Sequence, residues 1–347
     1  MTYQLSTILP HSKSPYMIPT GEGDRYVFGT QVASVLATIQ STGDLVEVVQ
    51  LSGGRGDEFP SHVHNQANEG IYVLDGRLEL DIGTQTRLLT AGDFAHIPAG
   101  TAHGYRMRSH RTRFLSVTIG GAVASIYSTI GDAYAQYERP PESACEARWS
   151  SVDDTVDIKF LNNEASGGIS SQIYEGKDVP ESVQPYVLEA GEGVHLISGE
   201  QVHTLISTQA ATDGKNIFVI SEGPKGVPIG EHYHNITNEI FYCVQGQMTL
   251  WVDGEELHLH PGDFAYVPAG VRHRFSMDSH YTKFLGVLTP GSFEEFFRTL
   301  GDPYPHPIFP REPVPYRFDR VIKRITELDL VVTGKPPVIT GSVPGHP

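Results

Sequence analysis

Residues 56–70 read GDEFPSHVHNQANEG, and residues 226–240 read GVPIGEHYHNITNEI. Each carries His-x-His and, after four intervening residues, Glu: His62, His64 and Glu69, then His232, His234 and Glu239. Alternate residues of a strand project from one face, so each His pair points the same way. Glu69 can return to that face after the turn at NQAN. The segment PAGTAH then delivers His103, with Pro98 and Gly100 fixing the turn before it, and His273 stands at the matching place in the second set. Three imidazoles and one carboxylate make a mixed nitrogen and oxygen site suited to a divalent transition ion such as Fe, Mn, Co, Ni, Cu or Zn. A lone HxH is ordinarily surface chemistry or a hydrogen-bonded core pair; two complete sets in register argue for metal.

These side chains need a scaffold, and the chain supplies it twice. At an offset of 170 positions, YMIPTGEGDRYVFGTQV (16–32) falls on YVLEAGEGVHLISGEQV (186–202), and GDFAHIPAGTAH (92–103) falls on GDFAYVPAGVRH (262–273). SHRTRFLSV (109–117) likewise matches SHYTKFLGV (279–287). The period is too long for a solenoid or propeller blade, so each copy should hold its own core. Within a copy, runs such as LVEVVQL, GIYVL and RLELDI are broken by Gly, Pro, Asp and Asn, the pattern of antiparallel strands with tight turns. GSFEEFFRTL (291–300) reads as a helix with Ser292 and Glu295 in a capping-box pattern, and GAVASIYSTI (121–130) is its counterpart. The expectation is an all-β chain of two tandem jelly-roll β-barrel domains, each followed by a short helix. The expected division is 1–145, a linker at 146–165, a second domain at 166–305 and a C-terminal extension at 306–347, with RFDRVIKRITEL helical and packed on the barrels.

Composition narrows the partners. The formal net charge of −16 repels phosphates, which argues against nucleic acid and anionic membrane. Only Cys145 and Cys243 are present, too few for a disulfide framework, and no signal-peptide core or run of about 18 apolar residues is seen. A cytoplasmic location is expected. Among other residues, His110 and His280 sit in matching SHxT hairpin segments and are not expected to be ligands. Cys243 is expected in the core, and GEGD (21–24) in a turn.

The pattern G-x5-H-x-H-x4-E-x6-G is met by Gly56, His62, His64, Glu69 and Gly76, and again by Gly226, His232, His234, Glu239 and Gly246. A second pattern, G-x5-P-x-G-x2-H, is met by Gly92, Pro98, Gly100 and His103, and by Gly262, Pro268, Gly270 and His273. These are the two cupin motifs, so the chain resembles a bicupin, and more closely the bacterial bicupin quercetin 2,3-dioxygenases. SEGPKG and GVLTPGSFEEFFRTLGDPY carry the closer likeness, which weakens in the linker and beyond about residue 325. The resemblance implies opening of a flavonol's central ring by O2, with release of CO and a depside. It implies one divalent ion per cupin domain, Fe2+ or Mn2+ first and Co2+, Ni2+ or Cu2+ as alternatives, and it allows a homodimer. Glu69 and Glu239, the non-histidine ligands, are the candidate catalytic bases.

Where the second cupin motif often ends in Asn, this chain has Met107 and Met277. Counting by twos from the last His places Tyr105 and Met107, then Phe275 and Met277, on the metal-facing side. Such a lining suits a flat apolar ligand; the plainer alternative is that these residues only fill the barrel. Two other functions compete: a bicupin decarboxylase or oxidase of a small organic acid, which would want a cationic anchor in place of Met107, and a non-catalytic metal-binding bicupin.

Overall fold

The computed structural model describes residues 5–137, 140, 146–161 and 172–334. The expected domain boundaries at 145 and 165, and Cys145, lie outside the described residues. The short β-rich runs form two barrels, each made of an eight-stranded and a five-stranded antiparallel sheet. In the first barrel the five-stranded sheet runs, in spatial order, Lys159–Phe160, Glu58–Val63, His103–Met107, Arg77–Ile82 and Gln85–Thr90. Alternation shows which face is packed: Leu78, Leu80 and Ile82 are buried, while Arg77 and Asp81 face water. The larger sheet behaves differently. Its central strand Thr112–Ile119 is buried on almost every residue, because the second barrel covers its outer face. Phe218, Ile220, Ile240, Tyr242, Leu285 and Val287 of that barrel join the same apolar cluster as Val49, Leu115 and Val117.

The barrels also exchange strands. Tyr16–Ile18 pairs with Phe264–Val267 of the second barrel, and Tyr186–Leu188 pairs with Phe94–Ile97 of the first. Each exchanged strand is fastened back to its own repeat, since the Tyr16 hydroxyl donates to Leu36 O at 3.0 Å and the Tyr186 hydroxyl donates to Ile206 O at 2.9 Å. Asp263 and Asp93 accept from Thr20 N and Ala190 N across the same junction at 2.7 and 2.8 Å. The two repeats are therefore one mechanical unit.

The hairpin at Asp75-Gly76 shows why the cupin pattern ends in glycine. Gly76 has φ +75°, and a Cβ there would stand 2.2 Å from Arg111 O; Gly246 repeats this with φ +76° and 2.3 Å from Tyr281 O. GEGD is a turn, with Glu22 N donating to Pro19 O at 3.0 Å, and Cys243 is buried in the core. His110 and His280 are exposed at hairpin ends.

Short helices follow each barrel at Ile126–Ile130 and Glu294–Leu300. The capping box expected from Ser292 and Glu295 does not form. A 3-10 turn at Gly291–Phe293 takes Ser292 into its interior, so the helix starts one residue later than a Ser292 cap requires, at Glu294, and the side chain at its cap, Phe293, cannot accept. Glu295 instead binds Arg324 Nη1 at 2.7 Å. That contact helps dock the C-terminal helix Phe318–Lys323, whose Val321 packs with Leu300, Leu328 and Leu330. As far as residue 334 the extension packs on the second barrel as expected, though its helix ends at Lys323 and does not run on to Leu328. Among the described residues, no helix is long and apolar enough to cross a membrane.

One buried histidine belongs to this scaffold. His203 lies between Ser198 Oγ and Ser221 Oγ, each 2.9 Å from a ring nitrogen, and burial pushes its pKa down to about 4. The folded chain then binds a proton less readily than the unfolded one, so this stability is present near neutrality and is lost as pH falls from 6.5 towards 4. At pH 4.5 the loss should be about 2–3 kcal/mol. The expected result is a urea midpoint that falls less between pH 7 and 4.5 in His203→Gln than in the wild type; parallel curves would contradict it.

Candidate metal centres

Each group of four is assembled by backbone contacts before any ion is considered. His62 and His103 are cross-strand neighbours, as are His232 and His273. The PAG turn is tied to the other motif, because Gly100 N donates to His64 O at 2.7 Å and Gly270 N donates to His234 O at 2.7 Å. Asn68 and Asn238, each one residue before the glutamate, accept from Ala99 N and Ala269 N at 3.1 Å. The two sequence motifs are thus pinned together on either side of the ligands.

A further pair of residues was not visible in the repeat. Asp157 O accepts from His64 Nδ1 at 2.7 Å, and its carboxylate accepts from Asn65, Gln66 and Ala67 N–H groups at 2.8–3.0 Å. Asp329 does the same for His234 at 2.6 Å and for Asn235, Ile236 and Thr237 at 2.7–3.1 Å. Asp157 lies in the expected linker and Asp329 in the expected extension. The short strands just after them, Lys159–Phe160 and Val331–Val332, pair with the strands of His62 and His232. Linker and extension are therefore parts of the two sites. The signal was DIKF against DLVV, but their offset is 172, not 170.

All six imidazoles have Nδ1 on a backbone carbonyl: Pro60, Asp157 and Thr101 in the first group, Gly230, Asp329 and Val271 in the second, at 2.6–3.0 Å. A carbonyl can only accept, so Nδ1 carries the hydrogen and the Nε2 lone pair is presented inward. The four donor atoms of each group lie within 4.8 Å of one another. Glu69 Oε2 is 2.9 Å from His103 Nε2 and 3.6 Å from His64 Nε2; Glu239 Oε2 is 2.9 Å from His273 Nε2 and 3.7 Å from His234 Nε2. These are lone pairs set against an anion, an arrangement that only a proton or a cation relieves. His103 Nε2 and His234 Nε2 are also buried without a well-directed hydrogen bond.

The electrostatics agree. Burial, and then the neighbouring His103 and His64, push His62 well below its ordinary pKa; burial and the same kind of neighbours bring His232 down to about 3. Burial works to raise Glu69, but the His103 and His64 imidazoles beside it outweigh this and hold it well below the carboxylate range. Glu239 is lowered in the same way. His64 and His234 are raised, burial being outweighed by the adjacent glutamate. The protein alone thus draws a proton into a gap that a divalent ion fills without one. Donors about 2.0–2.2 Å from one ion stand roughly 3–4 Å apart, and the glutamate oxygens approach the imidazoles at 2.9–3.7 Å. Each barrel carries one metal-binding group.

The residues expected to line the pocket are buried. Tyr105 stacks on Phe59 with centroids 5.7 Å apart and donates to Gln31 Oε1 at 2.8 Å; Phe275 packs edge-on against Phe284 at 5.1 Å. Met107 and Met277 lie deeper, where a Cβ on Gly53 or Gly223 would come within 2.7 Å of the sulfur. Around His62 stand Phe59 and Phe160, at centroid distances of 5.0 and 6.3 Å, and Phe293 lies 4.4 Å from His234. Neither Phe59, Phe160 nor Phe293 was singled out from sequence.

Two fused β-barrels, each with a three-histidine, one-glutamate group, define a bicupin. The cupin-domain family matches residues 50–118 and 216–285. The chain is 53% identical over 327 residues to a quercetin 2,3-dioxygenase of Bacillus subtilis (strain 168), covering 93% of this chain and 97% of that one. It is 31% identical over 140 residues to a quercetin 2,3-dioxygenase of Aspergillus japonicus, covering 38% of this chain and 39% of the other. In fold it is similar to an oxalate decarboxylase from Bacillus subtilis, with a TM-score of 0.53 at 17% identity over 82% of this chain and 78% of that one. The chain belongs to the quercetin 2,3-dioxygenase family. It is a metal-binding dioxygenase.

Proposed function

We propose that this dioxygenase opens the central ring of flavonols such as quercetin with O2, releasing CO and leaving a depside, with one divalent ion in each barrel. The observation that carries this reading is the pair of complete, inward-facing His3Glu groups in a chain similar to a quercetinase along nearly its whole length. The N/O donor set suits a divalent transition ion, and the likeness to quercetinases puts Fe2+ or Mn2+ first, with Co2+, Ni2+ or Cu2+ as alternatives. An ion held by these groups supplies positive charge that favours the flavonolate over the flavonol.

The remaining work falls to the side chains. Glu69, and Glu239 in the second barrel, takes the 3-hydroxyl proton on its carboxylate and then holds it by hydrogen bond. Tyr105 and Met107, with Phe275 and Met277 in the second barrel, form the apolar lining, and Phe59 and Phe160 wall the first centre against water. The four electrons that reduce O2 come from the flavonolate ring carbons, so no nicotinamide or flavin is required. A small-acid decarboxylase would want a cation where Met107 stands, and Met107 is buried and apolar. The acidic charge of −16 fits a cytoplasmic enzyme without a nucleic-acid or membrane partner.

The test is substrate discrimination. Metal-replete protein should consume a 3-hydroxyflavone in air and leave the matching flavone, which lacks the 3-hydroxyl, untouched. Equal rates on both would contradict a role for the carboxylate at that hydroxyl.

A further inference from the structure

The two metal groups share every ligand type, yet the residue beside the carboxylate differs. Ser116 Oγ donates to Glu69 Oε1 at 2.6 Å, and both residues are buried. One repeat later the position is Gly286. The register is unchanged: Ser116 lies between Val49 and Ile71, and Gly286 between Val219 and Phe241, their counterparts 170 positions on. The second barrel therefore lacks the hydroxyl with no slip of strand to compensate. Among the described residues, Glu239 Oε1 has no hydrogen-bond donor, although Oε2 keeps its 2.9 Å approach to His273. The first group is buried at all four residues, whereas Glu239 is less fully covered.

A carboxylate with one oxygen pinned cannot rotate about its last bond, and its other oxygen stays aimed at the imidazoles. Without that pin the carboxylate can swing aside, and a ligand is lost. We infer that Ser116 is a positioning residue that makes the two centres unequal, so that the first retains its ion longer than the second. The inference rests on the metal-binding reading of both groups. Loss of a hydrogen bond to a metal ligand ordinarily lowers affinity about 10–100-fold, which sets the expected size.

The test uses full-length chains with one centre disabled: His232→Ala leaves the first, His62→Ala leaves the second. Each is loaded with Mn2+ and diluted into excess EDTA, and retained manganese is followed by elemental analysis and by the Mn2+ paramagnetic resonance signal. The first centre should outlast the second by about 10–100-fold. Ser116→Ala should remove that advantage, and Ser116→Thr, which keeps a hydroxyl, should restore it. Gly286→Ser should lengthen retention in the second centre once Val219 turns its side chain aside, because a Cβ at 286 would stand 2.9 Å from Val219 Cγ1, whereas Ser116 already faces Val49 in the first barrel. A melting temperature of the metal-free protein separates folding from positioning. Equal retention with and without Ser116, or failure of Ser116→Thr to restore it in a protein that melts normally, overturns the inference. Failure of either centre to take up Mn2+ in both backgrounds overturns the metal reading, and this inference with it.

Discussion

Replacing both glutamates, Glu69→Gln with Glu239→Gln, should lower flavonol turnover roughly 100-fold or more while the barrels stay folded, the loss expected when a general base is removed. The amide preserves side-chain size, and its oxygen can still accept from Ser116, which holds Glu69 at 2.6 Å. It cannot take a proton. The amide is also neutral, so the ion is held less tightly, and turnover must be normalised to metal content. The single variants divide the effect, each leaving the unaltered barrel to work. Steady-state loss of flavonol absorbance, alongside elemental analysis, makes the measurement. Near-normal turnover at normal metal content would show that neither glutamate is the base.

The second large effect concerns the ions themselves. His62→Ala with His232→Ala should take the protein from about two divalent ions per chain to about none and abolish turnover, because each group loses a neutral nitrogen that no nearby residue replaces. Each single variant should hold about one ion. The fold has little reason to fail: His62 and His232 lie on short paired strands, and the carbonyls their Nδ1 atoms engage, Pro60 O and Gly230 O, are only two residues away. Wild-type protein that binds at most one ion, with no change on His232→Ala, would remove the second centre from the account.

The ligands were legible in the sequence because two periodicities coincide there. The two-residue period of a strand puts His62 and His64 on one face, and the 170-residue offset shows the same set again. Asp157 and Asp329 were hidden by a two-residue change of offset in segments that read as linker and tail. Their work, capping the N–H groups of the turn after His64 or His234, is a backbone contact with no side-chain pattern of its own. The strand exchange was equally silent: Tyr16–Ile18 and Tyr186–Leu188 are three residues long, and their sequence does not say which barrel they join. The helix at 294–300 was expected from its composition, but the cap was misread because a 3-10 turn displaced its start. Ser116 became meaningful only when the sheet showed it beside Glu69 rather than in a row of ordinary strand residues.

The two centres together would supply two ions and two bases for one ring-opening reaction that needs O2 and nothing else. The most direct measurement is a mass balance on metal-replete protein given quercetin in a closed vessel, with flavonol, O2 and CO all quantified and an anaerobic vessel beside it. One O2 should be consumed and one CO released for each flavonol lost, with no flavonol lost and no CO formed in the anaerobic vessel. Flavonol left intact in air by protein carrying both ions, or consumed without CO, would contradict it.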